Sequence, residues 1–162
     1  MYPGKESYPQ TANMLGISLR KATNLTSLIV NRCGLNDEST PHLLNFLQDC
    51  SVSHLEIDLN LFSDMGNLVI ANKIKSCQNL KKISLRQCQI SSIFLDIISE
   101  ALITSHHLEE INLEGNAFDE IGFSKFCMKM QNNREVTVKF SKNMLPKNPE
   151  DLVGDLANIV LI

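Results

Sequence analysis

Residues 80–90 read LKKISLRQCQI, from Leu80 to Ile90, and residues 108–118 read LEEINLEGNAF, from Leu108 to Phe118. In both, apolar residues stand at the first, fourth, sixth and last positions, with Cys88 or Asn116 at the ninth. The same frame fits Leu25-Leu28-Val30-Cys33-Leu35, Val52-Leu55-Ile57-Asn60-Phe62 and, more loosely, Val138-Phe140-Asn143-Leu145. The second apolar positions, Leu28, Leu55, Ile83, Ile111 and Val138, are 27, 28, 28 and 27 residues apart. A unit this short cannot bury its apolar face alone. A fixed period in the twenties therefore signals a solenoid in which each unit is buried against its neighbours.

Within each unit the apolar residues two apart define a short strand centred near Ile29, Glu56, Ser84, Asn112 or Lys139. A segment with helical spacing follows each strand, most plainly Ile97-Ile98-Ala101-Leu102. Strand, turn, helix and turn in succession give an α/β fold: a curved parallel sheet of five short strands inside and helices outside. The curvature follows from width, since a helix occupies ~10 Å and a strand ~4.8 Å. The ninth position has a structural task. The chain leaves the strand there, and a buried Asn amide, or more weakly a thiol, can satisfy backbone groups that no ladder reaches. The expected slot residues are Cys33, Asn60, Cys88, Asn116 and Asn143, with the thiols of Cys33 and Cys88 buried beside the turns.

This pattern is the signature of leucine-rich repeats. The slot alternates Cys, Asn, Cys, Asn, and the two middle Asn copies carry an acid four residues on and a glycine six on: Asp64 and Gly66, Glu120 and Gly122. That two-unit alternation, from Leu25 to about Leu145, resembles the ribonuclease-inhibitor-like subfamily. The subfamily contains ribonuclease inhibitor, Ran-type GTPase activators and the C-terminal repeat regions of NOD-like receptors. The resemblance is specific for fold and weak for function, because the matching residues are all framework. It implies a non-catalytic protein-interaction module, with the ligand-sensing or autoinhibitory region of an innate-immune NOD-like receptor as the leading reading. The alternatives are a free-standing adaptor or effector, or a regulator of a GTPase or ribonuclease.

The organisation expected is a polar linker over 1–10 and a repeat domain over 11–162. The latter divides into an N-terminal helix (11–24), five repeats (25–147) and a C-terminal capping helix (148–162). Asn148 would be the cap of that last helix and Pro149 its first turn. The chain opens with the helical half of a repeat whose strand is missing, which suggests excision from a longer protein.

Composition narrows the function classes. With 43% hydrophobic and 20% charged residues and a net charge of −3, neither half carries a basic run for nucleic acid or membrane surfaces. No apolar run approaches the ~20 residues of a membrane span, and the N-terminus is polar, without a signal sequence. Five cysteines, four of them placed by repeat register (Cys33 with Cys88, Cys50 with Cys77), suit reduced structural thiols and a cytoplasmic location. Asn24-Leu25-Thr26 is a glycosylation sequon that this location leaves unused.

The sequence contains no phosphate-binding glycine loop, HExxH or GxSxG motif, so no catalytic residue, cofactor or metal is expected. His106-His107 fall in an inter-repeat turn. Arg32 and Arg86 follow strands, as an arginine finger would, but sit in no recognisable motif. The candidate binding face is the concave one, built of columns with one residue per repeat: Ser27, His54, Lys82, Glu110, Thr137; Ile29, Glu56, Ser84, Asn112, Lys139; Asn31, Asp58, Arg86, Glu114, Ser141; and Arg32, Leu59, Gln87, Gly115, Lys142. Its candidate residues are Ile29, Arg32, Glu56, Asp58, Lys82, Arg86, Glu110, Glu114 and Lys139. Asp58–Arg86–Glu114 and Lys82–Glu110 can form ion pairs within the protein, or the same charges can meet a partner's surface. Five bases against four acids over the columns give no acidic field for a basic ribonuclease. These columns contain no Trp or Tyr, the usual anchors of a tight interface. The first strand is an uncharged edge, so weak self-association through it is expected.

Overall fold

The computed structural model describes residues 8–48, 51–132 and 135–162. Helices and strands alternate: α1 Tyr8–Leu19, β1 Ser27–Ile29, α2 Ser39–Leu44, β2 His54–Glu56, α3 Asp64–Ser76, β3 Lys82–Ser84, α4 Ser92–Thr104, β4 Glu110–Asn112, α5 Glu120–Met130, β5 Thr137–Phe140, α6 Pro149–Val153 and β6 Ile159–Leu161. All six strands are parallel and lie in chain order. Leu28, Leu55, Ile83, Ile111 and Val138 stand opposite one another across the ladder, so the sequence repeat and the sheet register coincide.

The core lies between sheet and helices. Leu55, Ile57, Leu85, Ile111, Leu113, Val138 and Phe140 enter it from the strands with no exposure, and Ile70, Ile74, Ile98, Ala101 and Leu102 meet them from the helices. Each strand thus turns alternate residues inward and outward. At the C-terminal end Phe140 takes three rings edge to face, Phe118, Phe123 and Phe126, with centroids 5.2–5.6 Å away.

The Asn slot holds consecutive repeats together. Asn60 Oδ1 accepts from the backbone N–H groups of Cys33 (3.1 Å) and Leu35 (3.0 Å) in the preceding repeat, and its amide donates to the carbonyls of Val30 and Ile57. Asn116 repeats this two units on, accepting from Cys88 and Ile90 and donating to Leu85 and Leu113. The alternation therefore has a physical basis: an Asn turn reaches back and satisfies the Cys turn before it. Cys88 is buried, with Sγ 3.4 Å from the Ile57 carbonyl, and burial pushes its thiol up to about 11.

Four expectations are corrected. Cys33 is exposed, and its thiol donates to the Asn31 carbonyl at 3.2 Å. Asn143 is exposed in a single 3-10 turn, Lys142–Met144, instead of filling a slot. The stretch 148–162 is not one helix. Gly154, at φ +52°, ends α6 after five residues, and the chain then forms a sixth strand. As expected, Asn148 is the N-cap residue of α6 and Pro149 its first turn, but Asn148 stands at φ +55° and its side chain makes no capping hydrogen bond. In addition, α1 begins at Tyr8, inside the stretch read as linker. Cys50 lies outside the described residues.

Candidate functional site

The open face of the sheet carries the columns in the order read from the sequence: Ser27, His54, Lys82, Glu110 and Thr137 are cross-strand neighbours, as are Ile29, Glu56, Ser84, Asn112 and Lys139. Much of its polarity is spent within the protein. Asn31 Oδ1 accepts from the Asp58 N–H (2.8 Å), and Asp58 Oδ1 accepts from the Arg86 N–H (2.9 Å). Asp58 is consequently a buried backbone acceptor, not a free recognition charge. Arg86 pairs with Glu114 at 3.2 Å through its guanidinium. Glu110 pairs with Lys139 at 2.9 Å, diagonally across the face, instead of with Lys82. Glu56 accepts from Asn31 Nδ2 (3.2 Å), and its other carboxylate oxygen lies 3.1 Å from His54 Nε2.

What is left open is specific. Arg32 and Lys82 are exposed and form no ion pair with any described residue, and Ile29 is 61% exposed. Leu59 joins them at 47% exposure. It occupies the fourth column, whose first four members all take left-handed backbone: Arg32 at φ +52°, Leu59 at +58°, Gln87 at +52° and Gly115 at +70°. Glycine adopts that conformation without strain; a leucine there is uncommon and marks a position held by its surroundings. Sequence reasoning placed Leu59 in its column but not among the candidate residues. The available signal was Gly115, one column position whose residue type reveals the conformation shared by all four.

No group of three or more His, Cys, Asp or Glu capable of holding a metal occurs among the described residues. His107 Nε2 bonds the Ile74 carbonyl at 2.8 Å, and His106, largely exposed, lies 3.8 Å from Glu135. Cys127 is buried on α5, with its thiol pushed up to about 12 by desolvation, which keeps it in the unreactive protonated form. No helix among the described residues is long and apolar enough to cross a membrane.

No family model matches the sequence. It is 25% identical over 127 residues to the mouse protein named NACHT, LRR and PYD domains-containing protein 9C, an alignment covering 76% of this chain and 12% of that one. It is 29% identical over 112 residues to human NACHT, LRR and PYD domains-containing protein 3, covering 67% and 11%. The human protein numbered 12 in the same series is 24% identical over 109 residues. The chain spans roughly a tenth of the length of these curated relatives. Among solved structures, the C-terminal domain of Caenorhabditis elegans tropomodulin superposes with a TM-score of 0.73 at 12% identity, covering 90% of each chain. That likeness concerns the fold.

Proposed function

We propose that this leucine-rich-repeat domain, distantly homologous over most of its length to the repeat regions of NACHT, LRR and PYD proteins, is a non-catalytic protein-interaction module of a NOD-like-receptor-type innate immune protein. In this reading it senses a ligand or restrains the receptor from the cytoplasm. The observation that carries the proposal is the open sheet face. Its internal pairs, Arg86–Glu114 and Lys139–Glu110, pre-set the shape of the surface, while Ile29, Arg32, Leu59 and Lys82 remain available. Solvent-accessible pairs of this kind, here partly buried, contribute on the order of 1 kcal/mol or less to stability, so their value lies in ordering side chains before a partner arrives. Lys82 and Arg32 select a partner with acidic groups.

Two tests separate the layers of the proposal. Binding by the isolated domain is measured against the Lys82→Glu/Arg32→Glu variant, in which both free cations are reversed. Protein partners retained by the parent and lost by the variant support recognition through this face; equal retention contradicts it. The receptor assignment is tested on the transcript encoding this chain. A nucleotide-binding domain encoded upstream supports it, and an upstream stop codon or an unrelated domain contradicts it.

A further inference from the structure

A second surface lies at the N-terminal ends of the outer helices. Met65, Ile93 and Ile121 are each the second residue of a helix, α3, α4 and α5, and stand 28 residues apart. They are 66%, 60% and 71% exposed, and none belongs to the core or packs on it. The first turn of a helix favours acids, because unpaired N–H groups leave it partly positive. Here three successive repeats instead place a large apolar side chain there, outside the core. Scattered surface apolar residues need no explanation, but a contiguous row marks an interaction site.

The row has shape as well as exposure. Between Ile93 and Ile121 runs a groove of about 270 Å³, edged by Ser92, Asp96, Gly122 and Lys125. Gly122 fixes its narrow floor. A Cβ there would lie 2.4 Å from the Ser92 Cβ, so only glycine lets α5 approach α4 this closely. The helix starts are fastened to one another: the Asp119 N–H donates to Ser92 Oγ at 3.0 Å, and Ser91 Oγ donates to Asp64 at 3.4 Å. The apolar side chains therefore stand on a rigid base, at helix spacings of ~8–10 Å.

The charges around the row identify the occupant. The equivalent position in the first repeat, 27 residues before Met65, is the exposed Glu38, and Glu120 adjoins Ile121; neither forms an ion pair among the described residues. Asp96 is already held by Lys129 at 2.7 Å. Asp64 and Asp119 also lie along the row, each accepting a hydrogen bond within the protein, and Lys125 is the one cation lining the groove. The apolar row is thus bordered mainly by acids, with Glu38 and Glu120 unpaired among the described residues. A second copy of the chain would bring those acids face to face. Three side chains also fall well short of the roughly 1,000 Å² expected of a stable protein interface. A short segment suits the site better. We propose that the first turns of α3, α4 and α5 dock a linear segment of a partner protein whose large aliphatic side chains fill the groove and whose flanking lysines or arginines meet Glu38 and Glu120.

The test titrates the isotopically labelled full chain with a synthetic peptide carrying leucines at i, i+3 and i+6, about 9 Å apart in polyproline-II geometry, between two Arg-Lys pairs. A matched peptide carries Glu-Glu in place of each basic pair. The expected result is saturable NMR shift changes confined to the first turns of α3–α5, with the acidic peptide about tenfold weaker or worse. Ile93→Lys/Ile121→Lys should abolish the response. Shift mapping on the unsubstituted chain decides the matter even if that variant folds poorly. Absence of binding, shifts confined to the open sheet face, equal affinity for both peptides, or ridge shifts that follow the chain's own concentration would each overturn the proposal. Recognition through the open face stands or falls on Lys82→Glu/Arg32→Glu, and shifts confined to that face would count for it and against the present proposal.

Discussion

A single asparagine shows how repeat context decides what a residue contributes. Asn60 and Asn116 each bridge two repeats with an amide that both donates and accepts while buried. Asn143 shares their sequence position but is exposed. Asn116→Ala strands the Cys88 and Ile90 N–H groups and should lower unfolding stability by about 1–3 kcal/mol. Asn143→Ala should change it by less than about 0.5 kcal/mol. Urea denaturation of the two variants checks the contrast, and similar losses would remove the distinction. The thiols behave likewise. Alkylation of the native protein should label Cys33 rapidly and Cys77, Cys88 and Cys127 slowly, because only the first is exposed. Burial raises the thiols of Cys88 and Cys127 above the ordinary value of 9.0. The folded state therefore favours the protonated form, and stability is fully present below pH 9 and lost as pH rises toward about 11 and 12. Melting temperature measured across that range should fall; a flat profile would contradict the burial of these groups.

At the level of elements, the strands and outer helices were legible because apolar periods of two and of three to four recur in phase at 27 or 28 residues. The last strand was not. Ile159-Val160-Leu161 follows a genuine helix start, and its apolar spacing fits either conformation; the deciding residue is Gly154, whose left-handed backbone stops α6. The exposed state of Cys33 was hidden for a related reason, since a repeat motif describes a residue's own unit and says nothing of whether a neighbour covers it. The column register of the open face was legible, whereas its pairing was not. Lys139 reaches Glu110 diagonally because long side chains span more than one ladder position. In the C-terminal repeat Phe140 joins β5 to α5 through the edge-to-face rings of Phe123 and Phe126, and to the turn before α5 through Phe118. Phe140→Ala should cost about 3–5 kcal/mol. Calorimetry that finds less than about 1 kcal/mol would mean that α5 and β5 are held by other contacts.

For the whole molecule, the parallel sheet leaves β1 with one partner strand, β2, among the described residues. Its outward residues, Ser27, Ile29 and Asn31, carry no charge to discourage edge pairing. Weak, concentration-dependent self-association follows, and Ile29→Lys should reduce it. Sedimentation that stays monomeric from micromolar to millimolar concentration would contradict this. The larger question is which side of the solenoid meets the partner proposed above. A photoreactive residue is placed in turn at Leu59 and Lys82 on the open face, and at exposed Lys75 near the end of α3 as the comparison. Cross-linking is then read by mass spectrometry in cell extract. The expected result is a common protein adduct from positions 59 and 82 that is absent from position 75. Adducts confined to position 75, with none at 59 or 82, would contradict recognition through the open face.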